Sequence, residues 1–209
     1  KLDFVYGFYS KVSHIDNALH HLNSKEMLSV DIKDFFGSIN SKQVYFVFHK
    51  LFGFNKSVST ALTTLTTLDS KLPQGAPTSP MISNLVFRNM DYRINEFSKK
   101  INVEYSRYAD DLTFSSKKKF DKVYVLLKIS NILESNGYKL NKNKTRMFSN
   151  HMIVNGLVIK DKKLNVQNSY IRNIEQDFYY IDKYGLEDHL KHKFDYKKDP
   201  SIYLEEMFG

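Results

Sequence analysis

The sequence has 209 residues, 42% of them apolar and 14% aromatic, a composition that builds a globular core and speaks against a disordered chain. Its 31 Lys and Arg exceed its 23 Asp and Glu, giving a net charge of +8 at pH 7 and a pI near 9.3, which suits a polyanionic partner without requiring one. Cysteine is absent, which excludes disulfides and thiolate metal sites, and no apolar run reaches the roughly 18 to 20 residues of a membrane-spanning helix.

The expected setting is therefore a reducing, cytoplasmic one without a membrane partner. The start at Lys1-Leu2-Asp3-Phe4, with neither initiator Met nor signal-peptide pattern, leads to the expectation of a piece of a longer protein.

In chain order, Met27-Leu28-Ser29-Val30-Asp31-Ile32 reads as a short buried strand that ends in a carboxylate. Lys33-Asp34-Phe35-Phe36 follows, and Ser41 is placed to cap a helix. Val44, Val47, Phe48 and Leu51 fall on one helical face, and a second helix is expected over about 57–68. Leu72-Pro73-Gln74-Gly75-Ala76-Pro77-Thr78-Ser79-Pro80 is too rich in proline for regular structure, but Ser79 before Pro80 is a helix start. Ile82, Leu85, Val86, Met90 and Ile94 carry that helix toward Lys99. Residues 103–108 and 112–114 read as strands of a hairpin around Ala109-Asp110. An amphipathic helix over 120–136 is stopped by Gly137, residues 145–166 look β-like, and the remainder is helical, with Ile171, Ile174, Phe178 and Ile181 on one face.

Asp31 at a strand end and Asp110-Asp111 in a hairpin turn would converge if their strands pair in one sheet. An isolated Asp pair in a turn is commonplace. Tyr108-Ala109-Asp110-Asp111, however, lies within apolar strand sequence, where two adjacent carboxylates repel unless a cation compensates them. Carboxylates on rigid strand ends suit hard, oxygen-seeking Mg²⁺, and a pair of such ions is the usual device for joining a nucleotide to a growing strand.

Val30-Asp31-Ile32-Lys33-Asp34-Phe35-Phe36, Leu72 to Pro80, and Tyr105-Ser106-Arg107-Tyr108-Ala109-Asp110-Asp111 resemble, in order and spacing, three consecutive blocks of reverse transcriptases. The resemblance continues through Leu140-Asn141-Lys142-Asn143-Lys144-Thr145 and Val154-Asn155-Gly156-Leu157-Val158. It implies an α+β fold, the right-hand polymerase palm, in which an antiparallel sheet is backed by helices, with partial fingers and the start of a helical thumb. Residues 1–26 would be partial fingers and 27–150 palm, with a fingers insertion at about 41–75. Residues 151–166 would be a primer-grip hairpin and 167–209 the start of the thumb.

By the same resemblance, Asp31, Asp110, Asp111 and the Ile32 carbonyl would hold two Mg²⁺ ions, for which Mn²⁺ would substitute. Phe36 would exclude the 2′-hydroxyl of a ribonucleotide, Gln74 and Gly75 would lie against nucleotide and template, and Lys144 would stand near the leaving pyrophosphate. The arginine that the family uses near the triphosphate aligns with Val12, so Lys11 is the candidate substitute, though as a point charge without a fork. Arg172, with Lys160, Lys162 and Lys163, would touch phosphates of the duplex.

Asn17-Ala18-Leu19-His20-His21 fits an Asn-Ala-x-x-His pattern, and Val154-Asn155-Gly156 lies where bacterial retron reverse transcriptases carry Val-Thr-Gly. Asn17, His21, Val154, Asn155 and Gly156 are accordingly expected to contact RNA or primer. Adjacent His20 and His21 do not share a helix face, so neither they nor His14 and His49 suggest a zinc site, and RNA contact or core packing is the expected role instead. A retron enzyme is expected to copy a structured noncoding RNA into an RNA-linked single-stranded DNA from deoxynucleoside triphosphates, in antiphage defence, with an effector protein as a further partner. Other defence-associated or group II intron-like reverse transcriptases, and an inactive RNA-binding scaffold of the same fold, are the alternatives. An RNA-dependent RNA polymerase would carry Gly where Ala109 stands.

Overall fold

The computed structural model describes residues 2–194 and 199–203, and the chain forms two compact units, Lys1–Leu164 and Asn165–Gly209. The first is α+β. Helix α1 (His14–His20) is capped by Ser13, and strand β1 (Glu26–Lys33) follows. Helix α2 (Ser41–Phe46) is capped by Asn40, not by the expected Ser41, and the chain then winds into a wider π-helical turn over Val47–Leu51. Helix α3 (Lys56–Thr66) is capped by Asn55, and the long α4 (Ser79–Lys100) starts at Ser79-Pro80, as proline in the first turn favours. The hairpin of β2 (Glu104–Tyr108) and β3 (Asp111–Ser116) leads into α5 (Lys122–Glu134), β4 (Lys139–Leu140) and β5 (Arg146–Ser149). Three short strands, β6 (Met152–Val154), β7 (Leu157–Lys160) and β8 (Lys163–Val166), form a separate sheet in that order.

β1 is the centre of the main sheet. Antiparallel β3 flanks it on one side, with β2 beyond, and β4 and β5 pair with its two ends on the other. Its neighbours satisfy both edges of β1, and side chains pack on both of its faces, which is why it is a nearly unbroken buried run.

Period-two alternation then sorts the side chains. Leu28, Val30 and Ile32 of β1, Tyr105 of β2, and Leu112 and Phe114 of β3 join the main core with Phe87 and Ile94 of α4, Ile129 and Leu133 of α5, and Phe35 and Tyr138. Met27, of the opposite parity, joins a second cluster with Ala18, Met152, Val154 and Ile159. Asp31, two pleats beyond Met27, belongs to this second face, as do Ser106, Asp111, Thr113 and Ser115 by the same count. One face of the sheet is thus core, and the other carries the polar chemistry beneath α1 and the β6–β7 hairpin.

The second unit contains α6 (Asn168–Tyr184) and α7 (Leu186–Phe194), joined through Gly185 at φ +87°. His189 and Leu190 of α7 and Tyr203 are buried, with His189 Nε2 bonded to the Tyr203 hydroxyl at 2.9 Å. The expected apolar face of α6 is only partly used. Ile174 and Ile181 are half-buried, whereas Ile171 and Phe178 are exposed. Among the described residues no helix is long and apolar enough to cross a membrane.

Candidate active site

The β1–β3 register sets Asp31 directly opposite Asp111, and the Ile32 N–H donates to the Asp110 carbonyl at 3.0 Å. The three acidic residues therefore lie together at one end of the central strand pair. Asp31 is 4% exposed, and Asp110 and Asp111 are half-buried. Lys144 Nζ donates to Asp31 Oδ2 at 2.8 Å from a short 3-10 turn, Lys142–Lys144. That turn is tied down by the Asn141 N–H, which donates to the Asp31 carbonyl at 2.8 Å.

These groups feel one another electrostatically. Burial pushes the Asp111 carboxyl up to about 6, and the charges of Asp110 and Asp31 add to that rise. Burial also raises Asp110, with Asp31 contributing. Lys144 is raised by its hydrogen bond to Asp31 and by the charge of that carboxylate. A cation beside these partly dehydrated, mutually repelling acids would relieve both effects.

The donor chemistry, all carboxylate oxygen, fits a hard divalent ion. The rotamers are a different matter: among the described residues no three His, Asp or Glu side chains gather around one point. Lys144 occupies one oxygen of Asp31 and Asn155 Nδ2 one oxygen of Asp111, the latter at 3.2 Å.

The turn bearing the acids is held from behind by residues whose roles the sequence reading missed. Ala109 sits at φ +56°, a conformation uncommon for an L-residue other than Asn or Asp. Arg107 Nη1 donates to the Ala109 carbonyl at 2.9 Å. The rest of the guanidinium grips Asp91 of α4, Nε to Oδ1 and Nη2 to Oδ2, both at 2.8 Å, while Nη2 also reaches Asn84 Oδ1 at 3.0 Å. Tyr105 donates to the same Asp91, and the Phe87 ring lies 4.9 Å from the guanidinium carbon. Parity was the signal available for this arrangement. Arg107 occupies the core-facing register of β2, where a charge demands a buried partner.

The amino-terminal segment completes the support. Phe4 and Tyr6 bond the backbone of Arg107, and a Cβ on Gly7 would collide with the Ala109 nitrogen. Asn84 Nδ2 donates to the Gly7 carbonyl at 2.9 Å.

Other expected site residues are distributed as follows. Phe36 is half-buried beside the acids' strand, its ring 5.6 Å from Phe35 and 6.0 Å from Phe8. Gln74 is exposed, and Gly75, at φ +87° with open space where a Cβ would stand, owes its glycine to backbone conformation and not to crowding. Lys11 is exposed at φ +63°. Asn155 and Gly156 form the tight β6–β7 turn at φ +45° and +85°. Arg172, Lys160, Lys162 and Lys163 are exposed, Arg172 on α6 of the second unit.

Three expectations need correction. Asn17, His21 and Val154 were assigned to RNA contact, yet they are 0%, 0% and 2% exposed. Val154 is core. His21 is clamped between Ser115 Oγ and Ser106 Oγ, each at 2.7 Å, and burial holds it well below the ordinary imidazole range, with the charge of His20 adding to the effect. As a neutral ring it donates to one serine and accepts from the other. Asn17 donates to Asn155 Oδ1 at 2.5 Å. These residues hold the interior together and present no surface to a nucleic acid.

Residues 2–194 match the family model described as reverse transcriptase (RNA-dependent DNA polymerase), and the chain belongs to that family. Within it, the resemblance to bacterial retron-type enzymes is borne out by the relatives. The Retron Ec86 reverse transcriptase of Escherichia coli is 34% identical over 85% of this chain and 56% of that protein. The Retron Se72 reverse transcriptase of Salmonella heidelberg is 33% identical over 81% of this chain and 48% of that protein. The chain thus spans about half the length of the curated relatives it matches.

Among solved structures, telomerase from Candida albicans in complex with a fragment of telomeric RNA aligns with a TM-score of 0.59 at 12% identity. It covers 97% of this chain and 42% of that one. A foamy viral protease-reverse transcriptase in complex with an RNA/DNA hybrid aligns with a TM-score of 0.51 at 18% identity, over 82% of this chain and 21% of that one. At these identities the likeness concerns fold alone, and it agrees with the expected α+β palm.

Proposed function

We propose that this chain is the polymerising part of a retron-type RNA-directed DNA polymerase that copies a structured noncoding RNA into an RNA-linked single-stranded DNA, in antiphage defence. The observation that carries the reading is the register of Asp31 against Asp111 with Asp110 in the adjoining turn, backed by Lys144 on Asp31. Residues 1–26 and about 41–75 act as fingers, 27–150 as palm, 151–166 as primer grip and 167–209 as the start of the thumb.

Asp31, Asp110, the Ile32 carbonyl and, with a smaller share, Asp111 would hold two Mg²⁺ ions, or Mn²⁺ in their place, once Asp31 and Asp110 turn toward a common point and Lys144 gives up its oxygen. The ions supply activation of the attacking hydroxyl and neutralisation of charge on phosphorus. The protein's own share is positional. Phe36, braced by Phe35 and Phe8, sits beneath the sugar and excludes a 2′-hydroxyl. Gln74 and Gly75 lie along nucleotide and template, Lys11 meets the triphosphate, and Lys144 stabilises the departing pyrophosphate. Gly156 shapes the turn of the grip, and Arg172 with Lys160, Lys162 and Lys163 contacts phosphates. An effector protein is a further partner.

The test is primer extension on the cognate RNA with deoxynucleoside triphosphates and Mg²⁺, using the full-length protein. Asp110→Asn should lower synthesis by about three orders of magnitude, corresponding to roughly 4 kcal/mol of lost charge stabilisation, with the circular dichroism spectrum unchanged. Failure of the unaltered protein to extend any primer, beside a working control enzyme, would overturn the proposal.

A further inference from the structure

Asn17, of the Asn-Ala-x-x-His pattern, and Asn155, which stands where the retron triplet carries Thr, are in contact with each other, and Asn155 in turn touches the acidic cluster. Asn17 Nδ2 donates to Asn155 Oδ1 at 2.5 Å, and Asn155 Nδ2 donates to Asp111 Oδ2 at 3.2 Å. The directions are fixed by chemistry. A carboxylate only accepts, so the Asn155 amide must aim its NH₂ at Asp111; its oxygen then faces Asn17 and demands a donor there. Among the described residues, the arrangement leaves Asn17 Oδ1 buried without a hydrogen-bond partner. An orphaned buried acceptor is uncommon and requires a reason, and aiming the donor at Asn155 supplies one.

The seat of the relay is rigid at both ends. Asn155 and Gly156, at φ +45° and +85°, are the two central residues of a tight hairpin turn that favours Asn-Gly. On α1, Ala18 is fully buried against Met27, Met152, Val154 and Ile159. One turn beyond Asn17, His21 is fastened to Ser106 of β2 and Ser115 of β3. Residues four apart share a helix face, so the spacing of Asn17, Ala18 and His21 describes one internal surface of α1.

We propose that Asn17 and Asn155 form a positioning relay for Asp111, in which α1 fixes the amide of the β6–β7 turn and that amide fixes the carboxylate. Asn155 is a positioning residue and neither a catalytic one nor an RNA contact. The relay makes the grip hairpin and the acidic cluster one mechanical unit, so a displaced turn displaces Asp111. This functional sense rests on reading Asp111 as part of the polymerase site, but the contact itself does not.

The test is a double-mutant cycle in metal-free full-length protein, read by urea denaturation, between Asn155→Gly and Asp111→Ala. Glycine keeps the turn, since it adopts positive φ freely, and removes the amide, both the donor to Asp111 and the acceptor for Asn17; the cycle with Asp111→Ala isolates the first of these. A charge-assisted hydrogen bond between the two predicts non-additivity of about tenfold in the folding constant. In primer extension, Asn155→Gly should lower kcat about tenfold, leave the KM for deoxynucleotide within about twofold, and leave RNA affinity unchanged.

Asn155→Asp is the second variant, usable if the glycine protein does not fold. It keeps shape and turn but sets a like charge against Asp111, so its destabilisation should be largely rescued by Asp111→Asn. Additivity within about twofold together with no such rescue, or loss of RNA affinity in Asn155→Gly without coupling to Asp111, overturns the relay. Coupling that persists in a protein without polymerase activity supports the relay and sinks the proposed function instead.

Discussion

Asp91→Ala tests how the acidic turn is supported. The change strands a guanidinium whose side chain is 0% exposed and removes both of its 2.8 Å bonds to the carboxylate, together with the one from Tyr105. Breaking one side of a buried ion pair costs about 3–5 kcal/mol, against a total of about 5–15 kcal/mol for a typical domain. With a urea dependence of about 2 kcal/mol per molar, the unfolding midpoint should fall by about 2 M. Far-UV circular dichroism across a urea series measures it. Replacing both partners, Asp91→Leu with Arg107→Met, should recover part of the loss, because no buried charge is left alone, although the Ala109 carbonyl, Asn84 Oδ1 and the Tyr105 hydroxyl lose a partner. A loss below about 1 kcal/mol for Asp91→Ala, or a double variant as unstable as the single one, would refute the assignment of Asp91 as the counter-charge of Arg107.

Gly7→Ala should destabilise the protein by about 1–3 kcal/mol, since its Cβ runs into the Ala109 backbone; an unchanged thermal midpoint contradicts this close approach. Metal-free stability should also depend on Asp111. Its folded pKa of about 6 stands above the ordinary 3.8, so the stability it contributes is full below about pH 4 and is lost as pH rises through about 6. Asp111→Asn should flatten that decline in chemical denaturation, and parallel slopes for the two proteins would rule the effect out. Phe36→Ala should weaken discrimination against ribonucleotides by about ten- to a hundredfold in single-nucleotide insertion assays, and undiminished exclusion would remove the sugar-gating role.

What the sequence made legible follows from periodicity. Met27 to Ile32 announced the central strand, Ser79-Pro80 the start of α4, and Ala109-Asp110 the hairpin turn, because each depends on neighbouring residues alone. The π-helical turn did not show, since Val44, Val47, Phe48 and Leu51 satisfy an ordinary helical spacing and the extra backbone residue leaves no mark on it. Asn17 and His21 were assigned to RNA contact from the family pattern alone; their spacing of four on a helix also bearing buried Ala18 pointed to an internal face. Asp91 lay hidden because its partner comes from a strand that the sequence places 16 residues on, and only the core-facing parity of Arg107 pointed to a buried acid. Lys144 was singled out from the family pattern, and its grip on Asp31 depends on the β1–β4 pairing, a long-range fact.

The pairing of Asp31 with Asp111 has a consequence for how such a chain tolerates change. Neither acid chooses its own address; Leu28, Val30 and Ile32, meshed with Leu112 and Phe114, do so by insisting on one face of the sheet. Volume-conserving exchanges among those five residues should leave the acids where they are. A single residue inserted into β1 or β3 would instead exchange the two faces, turning leucines toward the groove and carboxylates into the core. Reading frame, in the structural sense, is what this site inherits from its hydrophobic residues.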